Sequence, residues 1–301
     1  WRSRFLSARP IAPEVQDEIP EMAYLEMEQL VNELIANDLQ RKDSFMSQLL
    51  FDPELRRELI QALNKKNSCW DTERLHLLLD PSTTGDERRT VMQNAGTVFF
   101  WGVDDKGRRA PLTLVEEDGQ AYLKGIDDSG NAIMHEFTPE RVMALTKEKK
   151  LLPGLFTSFA TVAFARGFKC YGGYMQTDYL TGMRSGIETA LRATNRNEWA
   201  DKVRTVPTEN YATGLQFMVR RSPDGRISAA TGIDIMAGGG LTRAHLDQLR
   251  NRTTIHDATL LGLPGMYPVV VREAERDPQI TGLTADEIYR QVKPPLVELT
   301  S

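Results

Sequence analysis

Arg166, Cys170, Tyr174, Gln176, Asp178 and Arg184 fall within one short stretch of the chain, interrupted by the pair Gly172-Gly173. A guanidinium grips a carboxylate or phosphate through two parallel N–H bonds, so Arg166 or Arg184 is the expected anion-binding group. Asp178 is the expected general acid or base, and Gln176 an orienting hydrogen-bond donor. Cys170, with Arg166 and Lys169 close by in sequence to lower its pKa, is a candidate nucleophile. The glycines beside Tyr174 let the backbone approach a ligand closely. Each feature also has a plain structural use. A glycine pair forms a bulge, Gly182 and Gly186 let two helices pack closely, and a free cysteine among apolar neighbours behaves as a small hydrophobe.

A second glycine cluster, Gly238-Gly239-Gly240, precedes Leu241 and Thr242. Free N–H groups ahead of a helix bind phosphate or carboxylate, and Arg243 and His245 are the nearest polar side chains. The stretch lacks the Lys-Ser/Thr of a P-loop and follows an antiparallel strand, so it is no dinucleotide fingerprint either. A mobile connector is the competing reading.

Elsewhere the chemistry thins out. His76, His135, His245 and His256 are scattered without metal-ligand spacing, and no metal site is expected. No Gly-x-Ser-x-Gly elbow is present. The 301 residues carry 37 Lys+Arg against 42 Asp+Glu, a net charge of −5. That balance gives no global attraction to polyphosphate, so no nucleic-acid partner is expected. Two cysteines exclude a disulfide framework and read as reduced thiols in a cytoplasmic protein. The first ten residues are basic without an apolar run, so no signal peptide is expected. The longest apolar run, 151–165, is too short for a membrane span and reads as a buried helix. Between Pro10 and Gln40 stand eight acidic residues and no basic one. They read as the solvated face of an amphipathic helix, with an acidic docking surface as the alternative.

The elements that must position these groups follow from spacing. Residues 11–92 read as helical, with Pro20 at a first helical position and Met22, Leu25, Leu30, Val31, Leu34 and Ile35 at intervals of three and four. Asp52-Pro53-Glu54 caps the next helix, and Thr83-Thr84-Gly85-Asp86 reads as a loop. From Thr97 the period is two, predicting a meander with strands at 98–103, 110–116, 121–126 and 132–137. Thr138-Pro139 opens a helix. The buried helix ends at Arg166-Gly167, followed by a short strand over 168–171 and a helix containing Gly182 and Gly186. Residues 215–235 predict a long hairpin turning at Ser222-Pro223-Asp224-Gly225, and Thr242 and Thr284 open C-terminal helices.

The fold class expected is α+β. A helical region, 1–92, precedes 93–301, a mainly antiparallel sheet with a buried central helix and C-terminal helices. The function expected is that of a soluble metabolic or biosynthetic enzyme acting on a small anionic or polar metabolite, without a membrane or nucleic-acid partner. No cofactor and no reaction type is readable. The alternative is a non-catalytic binding or scaffold protein that contacts a partner through its acidic helical region.

Overall fold

Helix starts in this chain are set by short polar side chains that accept from the first free backbone N–H groups. A computed structural model describes residues 11–18, 25–65, 70–80, 82–87, 90–91, 97–209, 215–271 and 273–299. In it Asp52 accepts from Leu55 N, and Thr138 accepts from Arg141 N with Pro139 in the first helical turn. Both caps stand where expected. The chain has an α+β fold and groups by internal contacts into two units. One spans 25–212; the other joins the chain before residue 25 to 213–301.

The 25–212 unit begins with α1 (Met27–Asp38), α2 (Phe45–Phe51) and α3 (Pro53–Leu63). Five strands follow: β1 (Phe100–Val103), β2 (Arg109–Pro111), β3 (Thr113–Glu117), β4 (Gln120–Ile126) and β5 (Ala132–Glu136). Next come α4 (Pro139–Lys147), β6 (Leu151–Pro153) and α5 (Leu155–Phe159), which runs into a π-helical turn at Ala160–Phe164. Helices α6 (Tyr174–Ala193) and α7 (Asn197–Arg204) complete it. Strands β2-β1-β6 form one antiparallel sheet and β3-β4-β5 another. One core unites them, built on Leu55, Leu59, Leu63, Phe100, Phe156 and Ile187. Burying each such side chain contributes about 1.5–3 kcal/mol. Helix α6 lies on α3 where Gly186 leaves room for Leu63; an added Cβ would stand 2.7 Å from Leu63 Cδ2.

Three local expectations give way, two of them to tertiary contacts and one to a helix-start bond. The strand expected over 110–116 is divided at Leu112 between two sheets. Pro111 has no N–H to extend its ladder, and Leu112 O instead accepts from buried Thr97 Oγ1 at 2.7 Å. The helix expected from residue 151 starts at Leu155, because Leu151–Pro153 pair with β1. At Thr83–Asp86 the expected loop is a helix start, with Thr84 Oγ1 accepting from Glu87 N. Pro20, Met22 and Cys69 lie outside the described residues; α1 begins at Met27, and Leu25 ahead of it is exposed.

The other unit contains β7 (Met218–Arg221), β8 (Ile227–Ala229), α8 (Gly232–Ala237), α9 (Arg243–Arg252), α10 (Ile255–Leu260), α11 (Leu263–Val270), α12 (Pro278–Thr281), α13 (Ala285–Val292) and β9 (Val297–Leu299). Central β7 pairs antiparallel with β8 and parallel with β9. The hairpin is shorter than expected. Its return strand ends at Ala229, because Thr231 and Asp234 form a reciprocal capping box that turns Ile233 and Ile235 into helix. The starts expected at Thr242 and Thr284 are both present as capping boxes. Among the described residues no helix is long and apolar enough to cross a membrane.

The tightest backbone approach with no room for a side chain is at Gly125 on β4. An added Cβ would stand 2.2 Å from Pro111 O and 2.8 Å from Leu112 Cδ2. Gly125→Ala is therefore expected to destabilise the fold by about 1–3 kcal/mol in denaturant titration. Gly173→Ala, with nothing near its Cβ position, is the control. A Gly125→Ala loss no larger than the control's would show that strands β2 and β4 part freely.

Candidate functional site

A π-helical turn shifts the backbone ladder by one residue and leaves a carbonyl over. Here Ala165 N donates to Ala160 O, Phe168 N to Val162 O and Gly167 N to Ala163 O. Thr161 O takes the Arg166 guanidinium instead, from Nη1 at 2.9 Å. Arg166 Nη2 donates to Asp38 Oδ1 at 2.8 Å, and more weakly to Leu34 O. Asp38 is buried at the end of α1, and its Oδ2 has no hydrogen-bond partner. Arg166 is thus the neutralising charge for a buried carboxylate. Gly167 ends this segment with φ +71°, as the sequence leads one to expect.

The elbow that follows is irregular over 168–171, not the expected strand. Gln176 is buried in the first turn of α6, donating Nε2 to Cys170 O at 2.8 Å and accepting from Tyr179 OH at 3.3 Å. Gly172 makes this possible: an added Cβ would stand 1.9 Å from Gln176 Oε1. Gly173 is the N-cap of α6, and for Tyr174, its first residue, only the backbone is described. Half-buried Cys170 is a free thiol, and burial pushes its pKa up, away from the thiolate a nucleophile needs. Burial, with Cys170 nearby, likewise pushes the Tyr179 hydroxyl up. Arg184 donates Nη1 to Val206 O at 3.1 Å and pairs with Glu209, whose carboxyl that hydrogen bond holds low. Asp178 is exposed. The structure therefore gathers Cys170, Gly172 and Gln176, and sends Arg166, Arg184 and Asp178 elsewhere.

In the other unit the glycine loop has no free amides to offer an anion. Gly238 N donates to Asp234 O, Gly239 N to Met236 O and Gly240 N to Ile235 O, closing the C-terminus of α8. Positive φ at Gly239 and Gly240, +87° and +90°, allows this wrap. Thr242 and His245 are occupied with each other: His245 N donates to Thr242 Oγ1 and Thr242 N to His245 Nδ1. What Gly238 does provide is space. It lines a cleft of about 530 Å³ with Arg220, Arg221, Ser222, Pro223, Asp234, Ala237 and Leu299.

Arg221 grips Glu298 of β9 with Nε and Nη2 and reaches Gly225 O with Nη1. Arg220 meets Asp234 Oδ1 through Nη1 at 3.1 Å and Ser228 through Nε, leaving Nη2 without a partner among the described residues. At the hairpin turn, hydrogen bonds from Ser222 and then Arg226 hold the Asp224 carboxyl down at about 2.

Comparison with family models, curated proteins and solved structures returns no match for this chain.

A second open hollow, about 490 Å³, is lined by Asp43, Gln48, Asn195, Arg196, Asn197, Glu198 and Trp199. Its guanidinium is taken, because Arg196 pairs with Asp52. Among the described residues no three His, Cys, Asp or Glu gather as metal ligands. His135 lies half-buried on β5 opposite Leu123, and burial pushes its imidazole pKa down. Arg220 and Asp234 escape a sequence reading that takes 227–235 as strand. The signal that finds them is Thr231-x-x-Asp234, a helix-start pattern inside the alternating run.

Two outcomes follow. Arg166→Ala strands the Asp38 carboxylate and is expected to cost about 1–3 kcal/mol of stability, against less than about 0.5 kcal/mol for Asp178→Asn. Equal small losses would contradict the pairing. In a Cys69→Ser background, Cys170 alkylation by iodoacetamide is expected to keep accelerating above about pH 9, since a raised pKa delays thiolate formation. A rate already level near neutral pH would mean an activated thiolate.

Proposed function

We propose that this protein binds a small polar or anionic metabolite, and that the binding site is the cleft of the 213–301 unit. The observation that carries the reading is a cleft of about 530 Å³ lined by Arg220, whose Nη2 has no partner among the described residues. A cavity of this size suits a metabolite, and a guanidinium edge is the donor that recognises a carboxylate or phosphate. The elbow at 166–178 is then a structural joint, because its guanidinium and amide are committed to internal partners. An enzymatic role would use this cleft. The free thiol of Cys170 suits a reducing compartment such as the cytoplasm.

The docking alternative loses two of its acids to internal pairs. Of the acids in the N-terminal run, Glu28 already pairs with Arg109 and Asp38 with Arg166.

Thermal-shift measurement against a panel of metabolite carboxylates, phosphates and amino acids tests the reading. A compound at a hundredfold excess over its Kd stabilises the native state by about 2.7 kcal/mol, and Arg220→Gln is expected to remove that gain. A flat panel, or a shift that survives Arg220→Gln, would contradict it.

A further inference from the structure

Each arginine lining the cleft already has a carboxylate partner, of which Asp234 is itself part of the lining. Arg220 faces Asp234, and Arg221 faces Glu298. A phosphate or dicarboxylate entering would meet guanidiniums already neutralised by those partners, with Asp234 repelling it, and gain little net attraction. Arg221 is the more heavily engaged of the two, with Nε and Nη2 on Glu298 and Nη1 on Gly225 O.

What remains accessible is one cationic donor beside one anionic acceptor. Arg220 offers its unpaired Nη2, and Asp234 Oδ1 carries Arg220 Nη1 at 3.1 Å as its one donor among the described residues. Oδ2 of the same carboxylate is held by Thr231, through N at 2.8 Å and Oγ1 at 2.7 Å. Those bonds fix the carboxylate and, with Arg220 beside it, keep it ionised. An α-amino acid carries the same two opposite charges, an ammonium and a carboxylate, on neighbouring groups. Placed head to tail, the two pairs set each charge against its opposite. Beyond them Pro223, Ala237 and Leu299 supply apolar surface, and Gly238 leaves space.

We propose that the cleft takes a free α-amino acid with an apolar side chain, its carboxylate on Arg220 and its ammonium on Asp234. The assignment rests on the reading of this cleft as the binding site.

Isothermal titration of the full chain with L-leucine, N-acetyl-L-leucine, L-leucinamide and inorganic phosphate tests it. Leucine is expected to bind, the analogues lacking one charge to bind about tenfold or more weakly, and phosphate to give no heat. Arg220→Gln, at an exposed site, is expected to weaken leucine about tenfold without moving the melting temperature. Phosphate or N-acetyl-L-leucine binding as tightly as leucine would overturn the amino-acid assignment and leave the cleft an anion site. Leucine binding that Arg220→Gln leaves intact would overturn the assignment and the cleft together. No heat from any of the four would overturn the amino-acid assignment, and the broader thermal-shift panel would then judge the cleft alone.

Discussion

A carboxylate taken out of water must find a cation and hydrogen bonds, and in this protein Asp38 obtains them from Arg166, far along the chain. That one guanidinium also satisfies Thr161 O, the carbonyl left over by the π-helical turn. Helix α1 and the turn are thereby tied together by a single side chain. The cost of losing it is more than one hydrogen bond, because Asp38 Oδ2 already lacks a partner. Residue types that promise catalysis along the sequence are here consumed by folding. Gln176 follows the same logic, its amide bridging Cys170 O and Tyr179 OH in the space that Gly172 leaves.

The 213–301 unit repeats the theme with a different remainder. Its arginines lie side by side on β7, but they are not equivalent. Arg221 spends its donors on fastening the parallel strand β9 and the hairpin turn. Arg220 is held in place by Asp234, and Asp234 by Thr231, so the guanidinium is oriented while one amino group stays unused. Gly238 of the glycine loop shapes the cleft by having no side chain, while the loop's amides close a helix end. A place in the lining of a cleft, on a more exposed side chain, separates Arg220 from Arg166 and Arg184.

Much of this architecture was legible because it is local. Asp52-Pro53, Thr138-Pro139, Thr242 and Thr284 announce their helices through bonds spanning two or three residues, and those bonds form whatever the surroundings. The turn at Ser222–Gly225 was equally plain. Features decided by distant partners were not legible. Leu151–Pro153 is a strand only because β1 offers an edge, and Leu112 divides two sheets only because Thr97 claims its carbonyl. Alternation over 227–235 suits a strand and a helix start alike, and the capping box at Thr231 decides between them. The candidate site suffered most. Nothing near residue 166 in sequence reveals that Asp38 will occupy its charge.

The most direct measurement is backbone amide shift mapping of the isotope-labelled chain during titration with L-leucine. Leucine seated in the cleft should move the amides of 220–222 and 234–238 and leave those of 166–178 in place. Shifts concentrated at 166–178, with the cleft amides still, would return the site to the elbow and contradict the structural role given to Arg166.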